Sequence, residues 1–189
     1  MSQNARIRLV PAPGAPAADR GAVNPTDLDQ VFRRFAPYVA RVAARVLGHN
    51  DDLDDLVQDV FLDANRGLAK LRDAEAVRAW LATVTIRKAR QRLRRRRAMG
   101  LVGFEPELDA GAGLDQNASP DDRAFVLAVY RILDGLPANE RIAWVMNRVE
   151  GEPLERVAEV CGCSRATAHR HVARAQAVIE KGLGHTDAE

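Results

Sequence analysis

The stretch "PLERVAEVCGCSRATAHRHVARAQAVIEKGL" (153–183) decides how the chain folds. Leu154, Val157, Ala158 and Cys161 recur at three- and four-residue spacing, the period of a short amphipathic helix. Gly162 then supplies a turn, and Ser164 stands where it can cap a second helix. On that helix Ala168, Val172, Ala175 and Ile179 make one narrow apolar stripe. The spacing predicts a helix-turn-helix. His169, Arg170, Arg174 and Lys181 fall on its outer arc, with the small Ala166 and Ala173 between them. Small residues beside bases let a helix come close to a groove, where arginine bonds phosphates or guanine edges.

The same stretch holds two cysteines and two histidines, so a metal site competes with this reading. The spacing is C-x-C-x5-H-x-H, whereas structural zinc sites space their ligands C-x2–4-C and H-x3–5-H. Histidines two apart on a helix point about 200° away from each other and cannot share one ion. No metal is expected. Nor is a disulfide, since Cys161 and Cys163 are too close in a tight turn to reach its geometry. A buried Cys161 serves as a small hydrophobe, and reduced cysteines fit the cytoplasm.

Working outward, the 189-residue chain is 47% apolar but only 5% aromatic. That favours small helical units built on Leu, Val and Ala over an aromatic-rich sheet. The formal charge is only +2, yet it is unevenly spread. "DDLDDLVQDVFLD" (51–63) carries six acids and no base, and "RKARQRLRRRR" (87–97) carries eight bases and no acid. Blocks of this kind set up local fields for partners of opposite sign. No apolar run reaches the length of a membrane span and no signal-peptide core opens the chain, so direct membrane insertion is not expected.

Residues 1–24 are rich in Pro, Ala and Gly without period and read as a disordered tail. A helix is predicted from Thr26, its expected cap, to Gly48, with Leu28, Val31, Phe32, Phe35, Val39, Val42 and Val46 inward and Pro37 as an expected kink. A second opens near Asn50 or Asp51, burying Leu53, Leu56, Val57, Val60, Phe61 and Ala64 and leaving its aspartates outside. A third begins near Val77, with Trp80, Leu81 and Val84 inward, and projects past its core as the arginine run. Residues 98–120 hold four Gly, two Pro and four acids, the composition of a linker. The reading is all-α: two small helical domains, 25–97 and 121–183, joined by a flexible acidic linker, the second containing the helix-turn-helix.

Taken together, "LDDLVQDVFLDA" (53–64), "VRAWLATVTIRKARQRLRRRR" (77–97) and "LPANERIAWVMNRVEGEPLERVAEVCGCSRATAHRHVARAQ" (136–176) resemble the extracytoplasmic function (ECF) group of bacterial RNA polymerase sigma factors. The resemblance covers about 25–100 and 120–183. It implies a region 2-like domain over 25–97 and a region 4-like domain over 121–183. The acidic helix, through Asp55, Gln58 and Asp59, would dock on the clamp helices of the largest subunit of core RNA polymerase. Without the resemblance the same face reads as solvated surface. The loop at Leu71–Ala76 and the helix bearing Arg87, Lys88, Arg90, Gln91 and Arg94 would contact the minus-10 element of promoter DNA. Arg165, His169, Arg170 and Arg174 would read the minus-35 element. The chain departs from the family pattern at Asn65, Arg87 and Gln91.

The implied activity is transcription initiation: binding core polymerase, recognising two promoter elements and assisting melting, with an anti-sigma factor as a further partner. The alternative is a helix-turn-helix regulator that binds DNA without polymerase, against which the acidic helix and the two-domain layout argue. An enzyme is not expected, because no carboxylate pair, Ser/His/Asp set or glycine-rich phosphate loop sits in a pocket-forming segment. No cofactor is expected either.

Overall fold

Helix α1 (Leu28–Leu47) opens the fold in a computed structural model that describes residues 24, 27–48, 53–68, 74–101 and 119–186. Its cap is Asp27 and not Thr26: the Asp27 carboxylate accepts the amide of Gln30 at 3.0 Å. An aspartate suits this place because its charge also meets the positive end of the helix dipole. Thr26 lies outside the described residues, as do the expected start of the second helix, all but Asn24 of the N-terminal tail, and 102–118 of the expected linker. The helix runs through Pro37, which is exposed, and stops where Gly48 takes up the left-handed region at φ 70°.

Val31, Phe35, Val39, Val42 and Val46 are buried as their spacing predicts, while Phe32 stays partly exposed and lies edge-on to Phe61 with ring centroids 4.8 Å apart. Helix α2 (Leu53–Gly67) buries Leu56, Val57, Val60, Phe61 and Ala64. Helix α3 (Ala74–Ala98) starts three residues before the expected Val77 and packs Val77, Leu81, Val84, Ile86 and Ala89 against both. Its N-terminal turn fits under the end of α2. There the indole of Trp80 lies so close to Gly67 that a Cβ would come within 2.5 Å of the ring.

The second half opens with α4 (Pro120–Asp134), held by a reciprocal capping box between Ser119 and Asp122. Helix α5 (Ala138–Trp144) continues into a π-helical turn, Val145–Val149. Then come α6 (Leu154–Cys161) and α7 (Arg165–Thr186). The α6–α7 pair is the expected helix-turn-helix. Gly162 is left-handed at φ 65°, and Ser164 Oγ accepts the Thr167 amide at 3.2 Å. Ala168, Val172, Ala175 and Ile179 are all buried, against α4 and α5. Trp144, wholly buried, donates its indole N–H to Gln176 Oε1 at 2.8 Å, tying α5 to α7. Among the described residues there is no strand.

The two halves meet along a polar seam with apolar core on either side. Arg141 of α5 donates from Nε to the Val46 carbonyl (2.8 Å), from Nη2 to the Leu47 carbonyl (2.5 Å) and from Nη1 to Asp134 (3.1 Å). These are the carbonyls that a helix C-terminus leaves without partners. Arg45 of α1 and Glu150 form an ion pair at 2.6 Å, both side chains almost fully buried. Arg156 of α6 reaches back to the Ala79 carbonyl of α3, and Arg90 of α3 reaches forward to the Val160 carbonyl at 3.1 Å.

Candidate nucleic-acid and partner-protein surfaces

Three helix faces carry the residues singled out by sequence. On α2, Asp55 and Gln58 are exposed, and Asp59 is half exposed and bonded to Arg92 Nη2 of α3 at 3.2 Å. Leu62 sits two turns beyond Asp55 on the same face and is 67% exposed. A bare leucine at the end of an acidic strip puts apolar surface next to charge, a combination found in protein-binding surfaces. Sequence reading passed over Leu62, since one leucine off the buried face of a helix leaves no periodic signal.

On α3 the basic residues do not share one fate. Arg87 donates to Asp63 Oδ2 at 2.8 Å but stays 65% exposed. Lys88 is largely covered and lies 3.1 Å from the same oxygen. The Lys88 bond is the main reason the Asp63 carboxyl titrates below the usual carboxylate range, with the charges of Lys88 and Arg87 adding to it. Arg90 faces the second half, as described above. Gln91 and Arg94 are exposed. The solvent-facing part of the expected DNA surface is therefore Arg87, Gln91 and Arg94; of the loop expected to take an unstacked base, 71–73 lie outside the described residues and 74–76 form the first turn of α3.

On α7, His169, Arg170 and Arg174 are exposed in one row, with exposed Ala166 and Ala173 beside them. Arg170 bonds Thr167 Oγ1 at 3.2 Å, a contact within its own helix, and Arg174 lies 3.8 Å from Glu140. Arg165 forms an exposed ion pair with Glu155 of α6 at 2.5 Å. These exposed donors on a firmly packed helix can bond phosphate oxygens or base edges.

Among the described residues no group of three or more His, Cys, Asp or Glu is placed to hold a metal ion. Cys161 is buried, and burial pushes its thiol up to about 11 despite the lowering charge of Arg90. Buried in this way, Cys161 packs as a small hydrophobe of the core.

The sigma-70 region 2 family model matches residues 31–99, and the sigma-70 region 4 model matches residues 127–177. The ECF RNA polymerase sigma factor SigM of Mycobacterium tuberculosis is 31% identical over 157 residues, spanning 83% of this chain and 77% of that protein. The chain belongs to the ECF RNA polymerase sigma factors. Another curated member, the ECF RNA polymerase sigma-E factor of Escherichia coli K12, is 25% identical over 156 residues, covering 78% of this chain and 81% of its own. In fold, this sigma factor is similar to the sigma factor RpoE of Bartonella quintana, solved with the anti-sigma factor NepR, at a TM-score of 0.61 and 24% identity over 84% of this chain and 98% of that one. The region 2 match ends at Met99, just past α3, and the region 4 match runs from the middle of α4 through α6 to Ala177 of α7. Among the described residues no helix is long and apolar enough to cross a membrane.

Proposed function

We propose that this sigma factor binds core RNA polymerase through the outer face of α2, with Asp55, Gln58 and Asp59 as the charged and polar contacts and Leu62 beside them, one turn further along the helix. The exposed side of α3, with Arg87, Gln91 and Arg94, meets DNA at the minus-10 element, and Lys88 and Arg90 join it when their contacts with Asp63 and Val160 open. Arg165, His169, Arg170 and Arg174 read the minus-35 element. Residues 25–97 and 121–183 act as two domains, and the segment between them spans the distance between the two promoter elements. The chain works in the cytoplasm, carries out no chemistry of its own and needs no cofactor. Its further partner is an inhibitory anti-sigma protein.

The observation that carries this reading is the separation of charge onto opposite kinds of surface: an acidic face with a bare leucine on α2, and basic exposed rows on α3 and α7. A DNA-binding regulator that worked alone would have no use for the first of these. Co-purification of the full chain with core polymerase, followed by transcription from a two-element promoter, tests it.

A further inference from the structure

A cleft of about 290 Å³ lies on the seam between the end of α3 and the start of α5. Arg94, Arg96 and Arg97 line it from one half, and Arg141 and His171 from the other, with Leu93 and Leu136 as apolar wall. Among the described residues the only carboxylate on its lining is Asp134, bonded to Arg141 at 3.1 Å. Bringing the halves together thus gathers four guanidinium groups around one carboxylate. Burial is the main cause that holds the Arg141 guanidinium below its ordinary pKa, and the neighbouring charge of Arg96 adds to it. An anion in the cleft would relieve that repulsion. His171 Nδ1, on the same lining, is buried without a hydrogen-bond partner among the described residues and can donate to an anion.

The shape narrows the chemistry. Guanidinium forks match phosphate oxygens two at a time. The volume is close to the lower end for small-molecule pockets, roughly 300 Å³, and far too small for a duplex. The apolar wall suits a ring. We propose that this cleft binds a small polyphosphate of the nucleoside polyphosphate class, whose phosphates bridge α3 to the second half and hold the two together. A ligand so placed covers Arg94, and it competes with promoter DNA in the closed form. That competition rests on the function proposed above, but the binding itself does not.

The test uses the free full-length chain, with neither polymerase nor DNA present, so it reads out even if the sigma-factor reading fails. Equilibrium dialysis is run with GTP, ATP, inorganic tripolyphosphate and sulfate at matched ionic strength. One nucleoside triphosphate should bind per chain, saturably, with sulfate failing to displace it. Arg94→Gln and Arg97→Gln, both at exposed positions, should each weaken binding roughly tenfold, the loss of one charge-assisted hydrogen bond. Arg33→Gln, an exposed arginine on α1 away from the cleft, should leave it unchanged. Hydrogen exchange at the amides of Gly48 and Leu136, on the seam, should slow when the nucleotide binds. Equal loss in Arg33→Gln and Arg94→Gln would show diffuse charge attraction and overturn the proposal. So would non-saturable binding or unchanged exchange at the seam.

Discussion

Arg141 closes the end of the helix that Gly48 terminates. Its Nη2 takes up the Leu47 carbonyl and lies where a Cβ at Gly48 would come within 2.6 Å of it, with Tyr130 Cδ1 at 2.8 Å from the same point. Gly48 also needs its positive φ of 70°. Gly48→Ala therefore meets backbone strain of about 1–2 kcal/mol and a clash with the seam at once. Arg141→Ala removes the donors to the Val46 and Leu47 carbonyls and the ion pair with Asp134, a loss of about 3–5 kcal/mol by analogy with other broken buried pairs. Both variants should melt well below the parent in a calorimetric scan, Arg141→Ala the lower of the two if the seam survives in the Gly48 variant by a shift of the guanidinium.

The Arg45–Glu150 pair obeys the same physics with a different remedy. Glu150→Ala leaves a buried guanidinium without its carboxylate and should cost about 3–5 kcal/mol in denaturant titration. Replacing both partners with apolar residues, Arg45→Met with Glu150→Leu, should recover most of that loss, because no charge is then left unpaired. A double variant as unstable as the single would show that the pair is not the source of the effect.

Cys161 and Cys163 should differ in reactivity. The Cys161 thiol is buried and pushed up to about 11, so almost none of it is thiolate at pH 8. Cys163 is only half buried. Iodoacetamide at pH 8 should modify Cys163 in the native protein and spare Cys161 until the fold is opened, as peptide mapping would show.

The basic segments should divide their labour on DNA. Arg170→Ala or Arg174→Ala, on the exposed row of α7, should cost roughly 1–3 kcal/mol and relax preference at one upstream position. Arg94, Arg95 and Arg97 are exposed and Arg96 is half buried beside them, a block of charge at the end of α3 that suits phosphates. Neutralising them should weaken binding to every sequence and flatten its salt dependence. Footprinting and salt titration on one promoter compare the two; exchanged outcomes would contradict the assignment of both surfaces.

Much of this architecture is legible in the sequence because helix cores announce themselves by period. The stripe Ala168, Val172, Ala175, Ile179 and the inward row Val31, Phe35, Val39, Val42, Val46 are buried where spacing puts them. Caps are legible less reliably: Ser164 caps α7, whereas Asp27 rather than Thr26 caps α1, since neighbouring residues with capping side chains carry the same signal. The seam is not legible at all. Arg45, Arg141 and Glu150 look in sequence like surface charges, and only contact between residues about a hundred positions apart buries them. For the same reason the engagement of Lys88 with Asp63 and of Arg90 with Val160 could not be read from a run of bases.

The central claim is that the outer face of α2 is what joins this sigma factor to polymerase. Asp55 and Asp59 stand one turn apart on that face, and Asp55→Lys with Asp59→Lys reverses its charge while keeping Leu56, Val57, Val60 and Phe61 in the core, although it also breaks the Asp59–Arg92 bond. The direct measurement is the affinity of purified core RNA polymerase for the full-length parent and for this double variant, with circular dichroism to show that both are folded. The parent should form a stable one-to-one complex, and the folded variant should form none at the same concentrations. Assembly of the variant with undiminished affinity would contradict the account.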